Sequence, residues 1–476
     1  MWARNVDLLA YHDLDGRSGF KLALQEADGR FFLYVAGFWH SGWSILEVTD
    51  PEHPELLRWL DGPPNTMTIQ VQVADATMIT ALEHPPPGLT IGDPNATPQD
   101  GFLIWDVQQP DRPQLLGRWV SGGTGTHRNF YNGGPWVYAT SNLPGFEGQI
   151  LAIVDIADPA NPKMAGTWWH PGQRTAAGET YTPEDQRRLT AGRPYPRHGL
   201  SLHGGAYTLG DRAYCPWMRG GMVILDITDK HHPAHVSTLP VYPPLGSTIA
   251  VHSAVPLPSR DIVVINSEAL RENCDEPADY VATVDISDES DPILMAVFPQ
   301  PRPPSGYDAP SFCAKGGRFG PHNQHQQQGL DCLAPNDRFV YLAYFSAGLQ
   351  IYDISDPRDP HITGYYIPDG PTQRRGPIPS KLVHQAQDVL VDRRGVIYMS
   401  EGNSGIYILT HQSSKGEPRH DHADRYRPHR PGDRPPRDRH QSAAGDRLAA
   451  ADRRQPLAHL ADRHHRDAPG RSVRAG

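Results

Sequence analysis

The chain has 476 residues, with 44 Lys+Arg against 54 Asp+Glu and a formal net charge of −10 at pH 7. A body that acidic repels phosphate backbones, so nucleic acid is not an expected partner. No apolar run approaches the ~18 residues of a membrane span, and MWARNVDLLAYHD holds no stretch of signal-peptide length. A cytoplasmic protein with no membrane partner is the expectation, an exported form requiring a truncated N-terminus.

Taken in chain order, one pattern dominates. It runs ILEVTDPEHPELLRWL from Ile45, LIWDVQQPDRPQLLGRWV from Leu103, AIVDIADPANPKMAGTWW from Ala152 and VILDITDKHHPAHVSTLP from Val223. ATVDISDESDPILMAVFP from Ala282, QIYDISDPRDPHITGYYI from Gln350 and a shortened IYILTHQ from Ile406 complete seven copies. In each, alternating β-branched and aliphatic residues predict a half-buried strand. The Asp-Pro and x-x-Pro steps end it, because proline lacks the ladder donor and aspartate bonds the turn backbone. A second apolar run then predicts an outer strand.

One such four-stranded sheet cannot bury its own faces, so seven stack radially. The fold expected is an all-β, single seven-bladed β-propeller over residues 1–411. Length alone would suggest two or three domains, and the repeat overrides it. The opening NVDLLAYHDLDG resembles the outer strand PQLLGRWV, and the last copy lacks that strand, so the N-terminus is expected to close the ring. Residues 412–476 differ in kind: Arg, Asp, His and Pro crowd out β-branched and aromatic residues, which reads as a disordered or out-of-frame tail. That tail holds 15 of the basic and 9 of the acidic residues, leaving 29 against 45 in the propeller.

The copies of form xVDISDPxxPxxxG resemble the LVIVD-repeat family of seven-bladed β-propellers. QIYDISDPRDPHITGYY is also similar to a stretch of the selenium-binding protein/methanethiol oxidase family, another metal-using propeller. The resemblance implies the fold and leaves the activity to the site.

Five histidines recur at the head of the innermost strand of successive blades: His127 (GTHRNF), His203 (SLHGGAY), His252 (AVHSAV), His322 (GPHNQH) and His384 (LVHQAQ). His325 competes with His322. The same slot falls at Lys21 in the first blade and near Thr68 or Gln70 in the second. Radial stacking would bring such imidazoles together on the axis, and converged imidazoles are a means of holding a transition metal. The loop between second and third strands opens on the same face. It carries Glu83-His84, Glu268 and Glu401, carboxylates placed to hold a ring nitrogen of a ligating histidine. Pro/Gly-rich insertions at 84–101, 171–200, 269–280 and 299–320 are expected to roof that face.

Nitrogen-only surroundings suit iron, copper, zinc or manganese, and the absence of Cys or Met from the slot argues against a blue-copper centre. Four or five axial histidines resemble the iron site of the carotenoid cleavage oxygenases in architecture. That resemblance implies a redox enzyme of oxygenase or oxidase type acting on a small organic substrate. A second reading is a non-redox lyase or hydrolase like the manganese-dependent oligogalacturonate lyases. There Gln70 or Gln324 would join the ligands, Arg128 and Arg197 would pair a substrate carboxylate, and Lys21 would accept the proton. A third is a non-catalytic binding scaffold whose histidines are bridged by water. Trp39, Trp43, Trp136 and Trp217 point either to an aromatic ligand near the mouth or to inter-blade packing. The four cysteines lack CxxC spacing and are expected to be reduced, structural thiols.

Overall fold

The structure, a computed structural model, describes residues 1–190, 199–242, 245 and 247–412. Arg197 and the 413–476 segment lie outside the described residues. Seven sheets of four strands each form the propeller. All seven expected third strands are present, at Gly42–Glu47, Gly101–Asp106, Ile150–Asp155, Met222–Asp226, Val281–Asp285, Leu349–Asp353 and Gly405–His411.

The repeat's polar letters have one job. In blades 2 to 6 the aspartate that ends the third strand accepts the N–H two residues on, Asp106 from Gln108, Asp155 from Ala157, Asp226 from Thr228, Asp285 from Ser287 and Asp353 from Ser355, each at 2.8 Å. Such Asx turns stop the strand and aim the chain at the outer one. The repeat's glycine serves the neighbouring blade. A Cβ on Gly117 would lie 1.9 Å from the Pro159 carbonyl, and one on Gly166 would lie 2.3 Å from the Lys230 carbonyl. At these two positions the next blade's turn seats against the outer strand, and only glycine leaves the room.

Closure uses more of the N-terminus than expected. Val6–His12 pairs with Gly405–His411 as the outer strand of blade 7, as the sequence predicts. In addition Trp2–Arg4 pairs with His361–Ile367, adding an outer strand to blade 6. Blade 6 has no regular innermost strand. Residues 322–325 fill that place through His322 N–H to the Ala343 carbonyl (2.9 Å), His325 N–H to the Tyr341 carbonyl (2.9 Å) and a bridge from Gln324 to Leu342.

The apolar core consists of layers between adjacent blades, such as Tyr214, Ile224, Val251, Val263 and Val284 between blades 4 and 5. Trp43 and Trp217 are fully buried in these layers, so both are core residues rather than part of a ligand-binding mouth. The axis, by contrast, is buried and polar: Lys21, Gln70, Arg128, Asn129, His252, His322, Gln324 and Asp388 are each 4% exposed or less.

The four insertions leave the ends of strands on one face, and three stretches interlock there. Cys274 and Cys313 form a disulfide across the 269–280 and 299–320 insertions, which corrects the expectation of reduced thiols. Their pairing is a tertiary contact that no spacing rule could reveal. Glu272 accepts bonds from the Ser380 N–H and hydroxyl, drawing in the 368–383 connection. Cys215 and Cys332 are free.

Candidate metal centre

Blade 5 supplies the heart of the site. Its innermost strand, Ile249–Leu257, slips register between Ile249 and Ser253 against Ile262–Glu268. A bulge of this kind re-aims a side chain. Here it brings His252 beside Glu268, the last residue of the partner strand. The Glu268 carboxylate lies 3.1 Å from His203 Nε2 and 3.5 Å from His252 Nε2 through one oxygen. Through the other it lies 3.6 Å from His322 Nε2 and accepts a bond from Arg318 Nη1 at 3.2 Å. One ligand atom each of His203, His252 and Glu268 falls within 4.8 Å of the others.

The imidazoles form an arc across blades 3 to 6. Ring centroids are 4.6 Å apart for His127 and His203, 5.1 Å for His203 and His252, and 4.9 Å for His252 and His322. His127 Nδ1 meets Glu83 at 2.7 Å, the outer-carboxylate arrangement expected, and Glu83 is steadied by Gln149 at 3.2 Å. Phe345 stacks on His322 and Phe20 meets its edge, so an apolar wall closes one side.

Glu268 meets a histidine ring nitrogen, as expected of it, at 3.1 Å from His203 Nε2. Its oxygens lie among the imidazole nitrogens instead of behind them, which makes it a candidate ligand. Glu401 is buried elsewhere: its carboxylate accepts the Gln385 and Asn403 N–H groups at 2.6 and 2.7 Å and so ties down a loop. Burial pushes the Glu401 carboxyl up to about 7. Lys21 is paired with Asp388 at 2.9 Å, a fully buried ion pair. Burial lowers the Lys21 pKa against the pull of Asp388. His325 is likewise structural, its ring bonded to the Ala334 carbonyl and the Val391 N–H. His384 is buried, yet among the described residues no ring contact joins it to the other four. Burial lowers it to about 4, and the charges that act on it include Lys315 and Asp308 of the 299–320 insertion.

Electrostatics favour a ligating state. Burial lowers His203 to about 4, with His127 adding to the effect and Glu268 opposing it. Burial likewise drives His252 and His322 well below the ordinary imidazole range, against Glu268. Neutral imidazoles present a lone pair at pH 7. Burial raises the Glu268 pKa, and His322, His252 and the His203 hydrogen bond more than offset it, so it lies well below the ordinary carboxylate value. With the imidazoles neutral, Arg318 at 3.2 Å is the cation facing the carboxylate. The buried His252 Nε2 and His322 Nδ1 have no hydrogen-bond partner. Buried polar atoms are normally satisfied. The orphaned His252 Nε2, 3.5 Å from the Glu268 carboxylate, fits a divalent cation, while the His322 nitrogen nearest Glu268 is Nε2, which meets Arg128 Nη2.

Two arginines of the site carry little sequence signal. Arg128 follows a repeated histidine and has a role only in the lyase reading. Arg318 reaches Glu268 from an insertion, a contact that periodicity does not encode.

The fold and site together define a seven-bladed β-propeller whose axis bears an arc of four imidazoles around a buried glutamate. The LVIVD repeat matches residues 145–168, 278–298 and 336–367, spanning the third and outer strands of blades 3, 5 and 6, so the chain carries LVIVD repeats. No curated protein matches it. Among solved structures it is similar to the Cps50 (Swd1) β-propeller domain of Myceliophteria thermophila, at 12% identity and a TM-score of 0.50, covering 85% of this chain and 99% of that one. The computationally designed Ika8 protein is similar at 10% identity and a TM-score of 0.44, covering 85% and 98%. A functionally unknown protein from Desulfotomaculum acetoxidans matches at 11% identity and a TM-score of 0.44, covering 73% and 84%. At such identities the likeness is one of fold alone.

Proposed function

We propose that the protein is a metal-dependent enzyme that binds a divalent transition metal, iron foremost, and performs an oxidase- or oxygenase-type reaction on a small organic substrate. His203, His252 and Glu268 would hold the metal, with His322 and His127 beside them. The observation that carries this reading is the His252 Nε2: buried, neutral, without a hydrogen-bond partner, and 3.5 Å from an ionised carboxylate. Two imidazoles and a carboxylate, with no sulfur ligand, suit non-haem iron with open positions. When bound, such a metal supplies electron transfer and dioxygen chemistry.

The chain's own groups would prepare the site. Arg318 holds Glu268 in place and keeps it charged. Glu83 fixes the His127 ring through Nδ1, which leaves Nε2 free. Phe20, Phe345 and the interlocked roof limit water. Neither nucleic acid nor a membrane is needed as a partner.

The test is metal content and oxygen uptake of freshly purified protein beside the His203→Ala/His252→Ala variant. Near-stoichiometric iron or copper, lost in the variant and accompanied by oxygen uptake with a screened substrate, supports the reading. Stoichiometric manganese or zinc without redox activity would move it to a lyase or hydrolase. Absence of metal from both proteins would leave a binding scaffold.

A further inference from the structure

Among the described residues, Lys21, Arg318 and Arg128 are buried cations near the axis, and the first two have a carboxylate partner. Lys21 pairs with Asp388 at 2.9 Å, and Arg318 pairs with Glu268 at 3.2 Å. Arg128 is 4% exposed, and among the described residues no carboxylate lies within ion-pair distance of it. Its polar contacts are long: Nη1 to Gln70 Oε1 at 3.4 Å and Nη2 to His322 Nε2 at 3.3 Å. Its buried Nε has no partner. The guanidinium lies over the Phe20 ring, 4.9 Å from its centroid, so its plane is held against an apolar surface.

A guanidinium offers five N–H donors, and an unpaired buried one is costly. Arginine is the side chain suited to planar, two-oxygen recognition of carboxylates. We infer that Arg128 is the anchor of an anionic substrate, a small carboxylate seated on the axis beside the histidine arc. The partly exposed His127 and His203 side chains, at 15% and 12%, mark the side from which it enters. This assignment deepens the proposed metal-enzyme reading by naming its substrate class. A divalent cation next to Glu268 would add to the positive potential that attracts the carboxylate.

The test uses full-length protein stripped of metal by a chelator, so that metal content and anion binding are read separately. Calorimetric titrations at constant ionic strength compare acetate, its neutral isostere acetamide, and inorganic phosphate. Acetate is expected to bind at least about 10-fold more tightly than acetamide, a preference worth about 1.4 kcal/mol. Arg128→Gln should abolish the preference, and Arg128→Lys should retain part of it. Equal binding of acetate and acetamide by the unaltered protein overturns the inference without any variant, as does a preference that survives in Arg128→Gln. Tight phosphate binding with acetate inert would overturn the carboxylate assignment. Metal retention measured in parallel shows whether the metal reading fails independently.

Discussion

Asp279 offers a quantitative test of how the roof is built. It closes the 269–280 insertion, 5% exposed, and its carboxylate accepts bonds from the Ser247 and Ser267 hydroxyls. Burial, reinforced by Glu276, pushes its pKa from 3.8 to about 8. The folded state therefore holds a proton that the unfolded chain releases. The stability this proton confers is fully present below pH 3.8 and is lost as pH rises through about 8. A displacement of about four pH units at 1.36 kcal/mol each sets an upper bound of about 5 kcal/mol. An amide at this position cannot ionise, so Asp279→Asn should match the unaltered protein within about 1 kcal/mol at pH 4 and be the more stable at pH 9. With about 2 cal/mol/K of unfolding entropy per residue over roughly 400 residues, the bound corresponds to about 6 °C. Thermal unfolding from pH 4 to 9, at a fixed scan rate, reads the difference. A melting-temperature difference that stays flat across this range would refute the reasoning.

Three further outcomes are expected. Lys21→Met leaves Asp388 buried and uncompensated, and should lower stability by about 3–5 kcal/mol in denaturant titration, with Lys21→Met/Asp388→Leu recovering part of the loss. Thiol titration of the denatured, unreduced protein should find two free thiols, Cys215 and Cys332, a result that would favour an exported form; replacing Cys274 and Cys313 by serine should speed hydrogen exchange in residues 269–280 and 299–320 while the blade strands stay protected. Deleting residues 1–12 strips an outer strand from both blade 6 and blade 7, and should lower the melting temperature by more than about 5 °C, measured by calorimetry.

The propeller is legible in the sequence because its third strands carry a strong local signal: alternation, then an aspartate that turns the chain. The closing strand Val6–His12 is legible because it resembles the outer strand PQLLGRWV and the last copy lacks one. Trp2–Arg4 is not, since three residues are too few for a period to register. The inner segment of blade 6 is placed by its histidine, but its pairing is irregular around Gln324, which is why His322 and His325 compete for the slot in the sequence. At the site, matched strand positions place the histidines without fixing their direction. His252 turns at a bulge, and blade 7 slips register between Ala386 and Asp388, just beyond His384. Side-chain aim in such places is set by register, which the repeat does not show. The 368–383 connection gives no sequence sign of belonging to the roof, because its role rests on Ser380 meeting Glu272 across the face.

The central claim is that the axial imidazoles and Glu268 form a metal site. X-ray absorption at the metal edge of the purified protein tests it most directly. The expected shell has nitrogen and oxygen neighbours at about 2.0–2.2 Å, with imidazole scattering and no sulfur. Glu268→Gln should change the oxygen contribution. A sulfur-containing shell, a spectrum unaltered by Glu268→Gln, or no bound metal would contradict it.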